Sequence, residues 1–373
     1  MKIGILTGGG DTSSLNAILY GVAIQSERFG HELLGFRKGW QGVLDLDYIS
    51  LASAQINPQE GGTLLRTSRT NPNGQTLEMV AVNIEKKVDA LIAIGGDDTL
   101  TVGRRLTERL AIPICFVTKT IDNDVGRNAP EGELDYSKIV NYFTSGFATA
   151  SKRVAEYASH LRTTAYSHER VIFLETMGRF PGWLALSSYR GEPDFILVPE
   201  VPLDFERFKQ QLAKRYEQEG HVVAVVAEGV RYVYSDRPIS EDESNIDVFG
   251  HRKLGGVAQI LAERVKKELG IKNSNYVNPN YLYRCGPPTD LDRETAVELG
   301  TTALTAVHEQ RTGEVVVIQR VNDSLIADTK PIDEVLLVDA KEHIIPRNLD
   351  LRFYDPATYS ITSVGREYFR IMK

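Results

Sequence analysis

Three apolar runs in the first third of the chain each end in a turn rich in glycine or aspartate. The runs are residues 2–7, 88–94 and 113–117. The turns that follow them are Gly8-Gly9-Gly10-Asp11, Gly95-Gly96-Asp97-Asp98-Thr99 and Thr118-Lys119-Thr120-Ile121-Asp122-Asn123-Asp124. Helical patterns begin soon after the first two turns, which is the order of elements in a βαβ unit. This repetition restricts the chain to α/β folds with parallel strands.

Further apolar runs of strand length continue the alternation. They are residues 32–36, 171–174, 195–198, 222–226, 281–284 and 315–319. Near-continuous apolar strands between helices indicate parallel sheets that are covered on both faces. The chain has 373 residues, which is enough for two domains. We predict two doubly wound, Rossmann-like α/β lobes with an active site in the cleft between them, and exposed loops at 128–134 and 235–245.

Composition excludes several classes of protein. The net charge of −7 argues against nucleic acid as a partner, and no apolar run reaches the ~20 residues of a membrane-spanning helix. The N-terminus lacks the pattern of a signal peptide, so we expect a soluble, cytoplasmic protein. Cys115 and Cys285 have no metal-ligand spacing, and we expect two reduced, buried thiols.

The turns carry groups that suit phosphate and metal chemistry. Glycines let backbone N–H groups approach an anion at a helix N-terminus, although they also serve in ordinary tight turns. Two carboxylates beside the glycines of the second turn would repel a bare phosphate, so Asp97 is predicted to hold Mg²⁺. Asp122 and Asp124 lie two residues apart, and in an extended segment both side chains would face the same way. One could accept a hydroxyl proton while the other helps to hold the metal.

Arginines near predicted strand ends could bind an anionic substrate. They are Arg170, Arg179, Arg284 and Arg293. A planar guanidinium binds phosphate through two parallel hydrogen bonds, which suits an acceptor that already carries a phosphate.

Together these segments resemble the phosphofructokinase family over most of the chain. Besides the three turns, the resemblance rests on Leu15-Asn16-Ala17, Gly61-Gly62-Thr63-Leu64-Leu65-Arg66-Thr67-Ser68-Arg69, Glu175-Thr176-Met177-Gly178-Arg179, Ala227-Glu228-Gly229 and Asp292-Arg293. The string Lys119-Thr120-Ile121-Asp122-Asn123-Asp124 is the most specific of these motifs.

The resemblance implies a role for each matching residue. Asp122 is expected to be the catalytic base, Asp97 the Mg²⁺ ligand with Asp124 close to the metal, and Thr120 a hydrogen-bond donor to the transferred phosphoryl group. The expected donor-binding residues are Gly10, Arg69, Gly96, Asp98 and Thr99. The expected acceptor-binding residues are Arg170, Met177, Gly178, Arg179, Glu228, Arg284 and Arg293. In the family, Arg170 and Arg284 usually come from a neighbouring subunit, which implies a homodimer or homotetramer with shared active sites.

The resemblance also implies a division of the lobes. Residues 1–138 and about 256–305 would form the lobe for the phosphoryl donor and Mg²⁺. Residues of about 139–255 and 306–373 would form the lobe for the sugar phosphate.

Asp98 and Lys119 resemble the pyrophosphate-dependent branch of the family. Relatives that use ATP generally have glycine in place of Asp98 and often in place of Lys119. A carboxylate at about 4 Å from the α-phosphate of a nucleotide would cost roughly 1 kcal/mol in water and about 4 kcal/mol at an effective dielectric constant of 20. Lys119 adds a positive charge where compact pyrophosphate needs one. The expected partners are therefore pyrophosphate and a sugar phosphate, and the expected reaction is transfer to the 1-hydroxyl of fructose 6-phosphate.

The sequence leaves several alternatives open. Phe180-Pro181-Gly182 and Cys285 replace residues that are usual in the family, so sedoheptulose 7-phosphate is an alternative acceptor. An ATP-dependent 6-phosphofructokinase is the alternative donor class. A member of the NAD and lipid kinases and a non-catalytic paralogue fit less well, because the third turn is intact. A dehydrogenase is disfavoured, since Ser13 stands where Gly-x-Gly-x-x-Gly needs its last glycine.

Overall fold

The apolar runs of the sequence form the strands of two main sheets, one in each of the two units into which the chain divides. The computed structural model describes residues 1–132, 134–246, 252–339 and 344–372. The first unit comprises Met1–Thr149 and Arg284–Arg347, and the second comprises Ala150–Tyr283 and Asn348–Lys373. Across the described residues, no helix is both long enough and apolar enough to cross a membrane.

Strands and helices alternate through most of the chain. The strands are β1 (Lys2–Thr7), β2 (Glu32–Phe36), β3 (Tyr48–Ser50), β4 (Ala90–Gly95), β5 (Ile114–Thr120), β6 (Ser145–Gly146), β7 (Val171–Thr176), β8 (Phe195–Leu197), β9 (Val222–Ala227), β10 (Asp242–Ile246), β11 (Arg252–Lys253), β12 (Ser274–Val277), β13 (Glu314–Val321), β14 (Ser324–Pro331), β15 (Tyr354–Asp355) and β16 (Ser360–Ile361). The helices are α1 (Leu15–Phe29), α2 (Trp40–Asp45), α3 (Gly74–Lys87), α4 (Asp97–Thr107), α5 (Phe147–Ser167), α6 (Trp183–Ser187), α7 (Phe205–Glu219), α8 (Val257–Leu269), α9 (Asp290–His308), α10 (Ile332–Val335) and α11 (Ser363–Arg370).

The first unit is built around one sheet with the strand order β14-β13-β5-β4-β1-β2-β3, and β6 pairs with β5. The five central strands are parallel, whereas β14 and β3 pair antiparallel with their neighbours. Every residue of β4 is buried, as expected for a strand covered on both faces. Because β1, β4 and β5 are parallel neighbours, the three turns that follow them lie at one edge of the sheet.

Helix α1 follows the first turn, and a close backbone contact with α9 fixes its position. A Cβ atom on Gly21 of α1 would lie 2.1 Å from the carbonyl oxygen of Val297, and one on Gly300 of α9 would lie 2.2 Å from that of Ile18. Any side chain at either glycine would force the helices apart, so these two residues set the position of α1 behind the first turn.

The second unit contains a four-stranded parallel sheet with the order β12-β7-β9-β8. Trp183, Phe353 and Tyr368 pack together in its interior, with ring centroids 5.1 to 5.8 Å apart. These large aromatic rings join the start of α6 to the C-terminal segment of the chain.

Two predictions of local structure are wrong. Residues 281–284 are not a strand, because Asn280–Tyr283 forms a 3-10 helix that exposes Tyr281 and buries Tyr283. The predicted loop at 235–245 contains the start of β10, which pairs with β11. The described residues of 128–134 lie in no helix or strand, as predicted, and residue 133 lies outside the described residues.

The unit boundaries differ from the predicted lobe boundaries in two long stretches. Helix α8 and β12 belong to the second unit, because β12 pairs with β7. Strands β13 and β14 belong to the first unit, because β13 pairs with β5.

The two cysteines are unpaired, as predicted, but only Cys115 is fully buried and Cys285 is partly exposed.

Candidate active site

The three turns of the first unit are joined by direct contacts. The backbone N–H of Gly8 donates to the carbonyl of Ile94 at 2.8 Å, which ties the first turn to the end of β4. The N–H of Gly9 donates to the carbonyl of Ser68 at 3.1 Å, and the hydroxyl of Thr67 donates to the carbonyl of Gly9 at 2.6 Å. The segment that carries the exposed Arg69 therefore lies beside the first turn, where the sequence predicted a donor site.

Thr99 fills the space between the first two turns. A Cβ atom on Gly8 would lie 2.4 Å from Thr99 Oγ1, and one on Gly95 would lie 2.3 Å from Thr99 Cβ. These two glycines are therefore required by packing against Thr99. Gly10 and Gly96 are less crowded, since their added Cβ atoms would lie 3.0 Å from Arg284 Nη1 and 3.7 Å from the carbonyl oxygen of Lys119.

Asp97, Asp122 and Asp124 form a cluster of negative charge at this edge of the sheet. Burial raises the pKa of Asp124 well above its usual value, and the charges of Asp122 and Asp97 raise it further. Oδ1 of Asp124 is buried and has no hydrogen-bond partner among the described residues. Asp97 is the first residue of α4, and its Oδ1 accepts the N–H of Asp98 at 2.8 Å. A cation or a proton placed here would relieve this repulsion.

The backbone of the third turn differs from the extended conformation considered in the sequence analysis. The segment from Asp122 to Asp124 is not extended, because Asn123 has a left-handed backbone conformation with φ of 57°. The prediction that both aspartates face the same way by strand alternation is therefore wrong. The N–H of Asp122 donates to Oγ1 of Thr120 at 3.1 Å, so the Thr120 side chain also helps to shape this turn.

Lys119 lies beneath the first turn and is buried. Its ammonium group donates a hydrogen bond to the carbonyl of Gly10. Burial, with the charge of Arg284, lowers the pKa of Lys119 to about 8, although Asp11, Asp97 and Asp124 act in the opposite direction. A lysine with this pKa carries a positive charge at neutral pH and is aimed at the turn that was predicted to bind the phosphoryl donor.

Arg284 lies at the same turn, within this chain. Its Nε is 3.1 Å from Oδ1 of Asp11. The structure thus groups Arg284 with the predicted donor residues of the first unit. Arg293 is in the first turn of α9, where it pairs with Asp290 at 2.7 Å and with Glu294 at 3.3 Å.

Arg347 is a functional candidate that the sequence did not reveal. Its side chain is 2% exposed, and its Nε and Nη2 donate to the carbonyl of Asn123 at 3.0 and 2.7 Å. Its backbone N–H donates to the carbonyl of Asp124 at 2.7 Å, and its charge lowers the pKa of that aspartate. Asn141 assists, since its Nδ2 donates to the carbonyl of Val125 at 2.8 Å. Neither residue belongs to a local motif, so only the fold brings them to the third turn.

The carboxylates of this site suit a Mg²⁺ ion that would also be bound by oxygens of a substrate. Within the described ranges, no three His, Cys, Asp or Glu side chains are grouped closely enough to hold a metal ion by themselves. Mg²⁺ in phosphoryl-transfer sites is commonly held by one or two carboxylates, with water and phosphate oxygens as its other ligands. The buried Oδ1 of Asp124 and the repulsion of Asp124 by Asp122 and Asp97 fit such an ion.

In the second unit, the predicted acceptor residues follow two neighbouring strands. Met177, Gly178 and Arg179 come after β7, and Glu228 comes after β9. The N–H of Gly229 donates to the carbonyl of Gly178 at 3.2 Å, and an added Cβ on Gly229 would lie 1.9 Å from the carbonyl oxygen of Arg179. Gly178 has φ of 129°, a conformation that favours glycine.

Arg170 lies at the opposite end of β7. It precedes the six-residue strand that Met177 follows. At about 3.3 Å per residue, the two ends of this strand are about 20 Å apart. The structure therefore does not bring Arg170 to Met177 and Arg179 within one chain.

Comparisons with known proteins agree with this geometry. The sequence profile described as Phosphofructokinase matches residues 2–307. A protein from Dictyoglomus thermophilum named pyrophosphate--fructose 6-phosphate 1-phosphotransferase is 37% identical over 365 residues, covering 95% of this chain and 97% of the relative. The chain belongs to the phosphofructokinase family. The resemblance that the sequence motifs predicted is thus confirmed.

Two further phosphofructokinases are similar over nearly the whole chain. ATP-dependent 6-phosphofructokinase 3 from Streptomyces coelicolor is 34% identical over 352 residues, covering 92% of this chain and 96% of the relative. The crystal structure of a pyrophosphate-dependent phosphofructokinase from Nitrosospira multiformis has a TM-score of 0.83 at 20% identity, covering 100% of this chain and 91% of that chain. The predicted two-lobed α/β fold is confirmed by this structural similarity.

Proposed function

We propose that this protein transfers a phosphoryl group from pyrophosphate to the 1-hydroxyl of fructose 6-phosphate, reversibly and with Mg²⁺. The observation that carries the donor assignment is the buried Lys119 beneath the first turn, together with the carboxylate of Asp98 in the first turn of α4. The positive charge of Lys119 would attract the compact pyrophosphate, whereas the negative charge of Asp98 would repel the α-phosphate of a nucleotide. The 37% identity to a relative named for pyrophosphate, against 34% to one named for ATP, supports the same assignment.

In the proposed reaction, Asp122 accepts the proton of the sugar hydroxyl as its oxygen attacks the nearer phosphorus atom of pyrophosphate. The new P–O bond forms as the P–O–P bridge breaks, and orthophosphate leaves with the bridging oxygen. Thr120 donates a hydrogen bond to the transferred phosphoryl group, and the backbone at Gly10 and Gly96 contacts the donor. These groups act by positioning and by stabilising charge, which is most of the catalysis in phosphoryl transfer.

Other residues bind the two substrates and the metal. Asp97, with Asp124 nearby, would hold Mg²⁺, which supplies positive charge to the pyrophosphate oxygens when bound. Arg69 and Thr99 complete the donor site. The acceptor set is Met177, Gly178, Arg179, Glu228 and Arg293.

Arg170 and Arg284 are proposed to act across a subunit boundary. The distance along β7 keeps Arg170 away from Arg179 of its own chain, so it would serve the acceptor site of a second copy in a homodimer or homotetramer. Arg284 contacts Asp11 in its own chain, so its proposed transfer to a neighbouring acceptor site needs that pair to open.

The decisive experiment is an assay with fructose 6-phosphate and Mg²⁺, with pyrophosphate and ATP supplied in parallel. Turnover with pyrophosphate alone is the expected result. Turnover with ATP alone would overturn the donor assignment while leaving the family intact. The variant Asp98→Asn keeps the size of the side chain and removes its charge, so it should raise turnover with ATP by about tenfold or more.

A larger acceptor is a second candidate, and one observation favours it. Phe180 is 51% exposed and, with Arg179, lines a cavity of about 700 Å³ in the second unit. Sedoheptulose 7-phosphate should therefore be assayed beside fructose 6-phosphate. A higher kcat/KM for the seven-carbon sugar would assign the protein to that substrate.

A further inference from the structure

The loop that carries the proposed acceptor residues is held at both of its ends. This acceptor loop, residues 177–182, runs from the end of β7 to the start of α6. At its first end, the carbonyl of Gly178 accepts the N–H of Gly229 at 3.2 Å. At its second end, the N–H of Gly182 donates to Oε1 of Glu200 at 2.9 Å. Arg179 lies between these two points.

Glu200 uses a single carboxylate oxygen to hold two separate segments. Besides Gly182, Oε1 accepts the backbone N–H of Leu349 at 2.7 Å. The other oxygen, Oε2, is buried and lacks a hydrogen-bond partner within the described part of the chain. A Cβ atom on Gly182 would lie 2.8 Å from Oε2, so the carboxylate is packed directly against the end of the acceptor loop.

The surroundings of Glu200 make its charge state sensitive to changes in pH near neutrality. Burial raises the pKa of Glu200 to about 7, against the opposing effect of hydrogen bonds from the backbone N–H groups of Leu349, Gly182 and Glu200 itself. The charged side chains lining the cavity with Glu200 are Arg179, Arg231, Asp236 and Glu241. Within the C-terminal segment, Asp350 pairs with Arg352, and the hydroxyl of Tyr354 donates to the carbonyl of Ile196 at 2.7 Å.

Resting on the proposed function, we propose that Glu200 is a positioning residue whose ionised carboxylate holds the acceptor loop and thereby sets the affinity for the acceptor sugar phosphate. An ionised oxygen accepts hydrogen bonds more strongly than the carbonyl oxygen of a neutral acid. Protonation at Oε2 would leave the contacts to Gly182 and Leu349 in place and weaken both. Arg179 would then be held less firmly, and the KM for the acceptor would rise as the pH falls through about 7.

The variant Glu200→Gln tests this role, because its amide keeps an acceptor oxygen and cannot ionise. At pH 8 we expect kcat/KM for the acceptor to fall by about tenfold, through KM, with the KM for pyrophosphate unchanged. At pH 6 the variant should match the wild type, and its step in acceptor kcat/KM near pH 7 should be absent. A variant that keeps the wild-type pH step would overturn the proposal.

Asp194→Asn is the matched control. Asp194 is also a buried carboxylate of the second unit that accepts a backbone N–H, from Val223 at 2.9 Å, but it precedes β8 and lies outside the acceptor loop. This variant should keep the wild-type step near pH 7. Loss of the step in both variants would show that general destabilisation is the cause and would overturn the proposal.

A second measurement is independent of catalysis. Hydrogen exchange at Gly182 and Leu349, corrected for intrinsic rates, should be slower at pH 8 than at pH 6 in the wild type and equal at both in Glu200→Gln. Equal protection in the wild type would overturn the proposal even if the protein did not turn over. Absence of turnover in the wild type and in Asp194→Asn, with the exchange difference present, would reject the proposed function alone.

Discussion

The loops at the strand ends of the first unit and those of the second unit are held by different means. In the first unit, Thr99 fills the gap between two glycine turns, and Lys119 and Arg347 reach the turns as buried cations. In the second unit, carboxylates accept the backbone N–H groups of the loops. Glu175 accepts the N–H groups of Gly256 and Ala258 at 2.9 Å, and Glu200 does the same for Gly182 and Leu349.

The two units also differ in whether their carboxylates remain available for chemistry. In the second unit, the oxygens of Glu175 already accept hydrogen bonds from the segments that they hold. One of these bonds comes from Nδ2 of Asn278 at 2.7 Å. In the first unit, packing and buried cations shape the turns, and the charges of Asp122 and Asp97 still repel Asp124. A catalytic carboxylate needs the arrangement found in the first unit, because a carboxylate whose oxygens already accept backbone N–H groups is a poor base and a poor metal ligand.

The largest effect is expected from Asp122→Ser. If Asp122 is the base, kcat should fall by roughly 10²- to 10⁴-fold, while the KM values for pyrophosphate and the acceptor change little. Steady-state kinetics at pH 7.5 measure this split. Asp333→Ser is the control, since its side chain is 71% exposed and it pairs with Arg104. Near-wild-type turnover in Asp122→Ser would remove the base assignment.

Glu175 should instead matter for stability. Glu175→Ala leaves several buried donors unsatisfied, and we expect the free energy of unfolding to fall by about 3 kcal/mol. Urea titration followed by circular dichroism measures the change. Glu217→Ala, at an exposed position of α7, should have almost no effect. A small loss in Glu175→Ala would mean that these loops do not depend on the carboxylate.

The packing around Thr99 predicts a difference between two glycines. Gly8→Ala and Gly95→Ala should each cost about 2 kcal/mol of stability, because each new Cβ would strike Thr99. Thr99→Ala removes the Oγ1 that would meet the new methyl group at Gly8 but keeps the Cβ that lies 2.3 Å from the new atom at Gly95. The double variant with Gly8→Ala should therefore regain stability, whereas the one with Gly95→Ala should not. Additive losses in both would contradict the proposed packing.

The smallest effect concerns the charge of Lys119. Its lowered pKa of about 8 means that it loses its proton as the pH rises through this value, so the affinity for pyrophosphate should fall above pH 8. We expect kcat/KM for pyrophosphate to drop by about tenfold per pH unit there. Lys119→Met should lack the drop and have a low value at every pH, and the exposed Lys86→Met should behave as the wild type. A flat profile in the wild type would contradict a role for this charge.

Continuous apolar runs made the central strands predictable. Strands β1 and β2 have the predicted bounds, since each is a buried run that ends in a turn. Strand β12 was missed because three of its four residues, in Ser274–Val277, are exposed and the pattern is partly polar. The run at 281–284 looked like a strand, but Tyr281 and Leu282 are exposed on a 3-10 helix and only Tyr283 is buried.

Parallel sheet geometry made much of the candidate site predictable as well. Three turns after neighbouring parallel strands had to meet at one edge, which brings Asp97 and Asp124 together. The contact of Arg347 with Asn123 joins residues that are 224 positions apart, and no local pattern marks it. The same holds for the contact of Glu200 with Leu349, which lies 149 positions away in the sequence.

The position of Thr99 has a consequence for the thermodynamics of substrate capture. Because its side chain is in contact with both glycine turns, neither turn can shift without displacing the other. The conformational entropy of these backbones is therefore lost when the protein folds, and it would not be lost when the proposed donor binds. Two turns ordered in advance would bind a small, strongly hydrated anion with little further ordering, so the free-energy cost of ordering the site would be small.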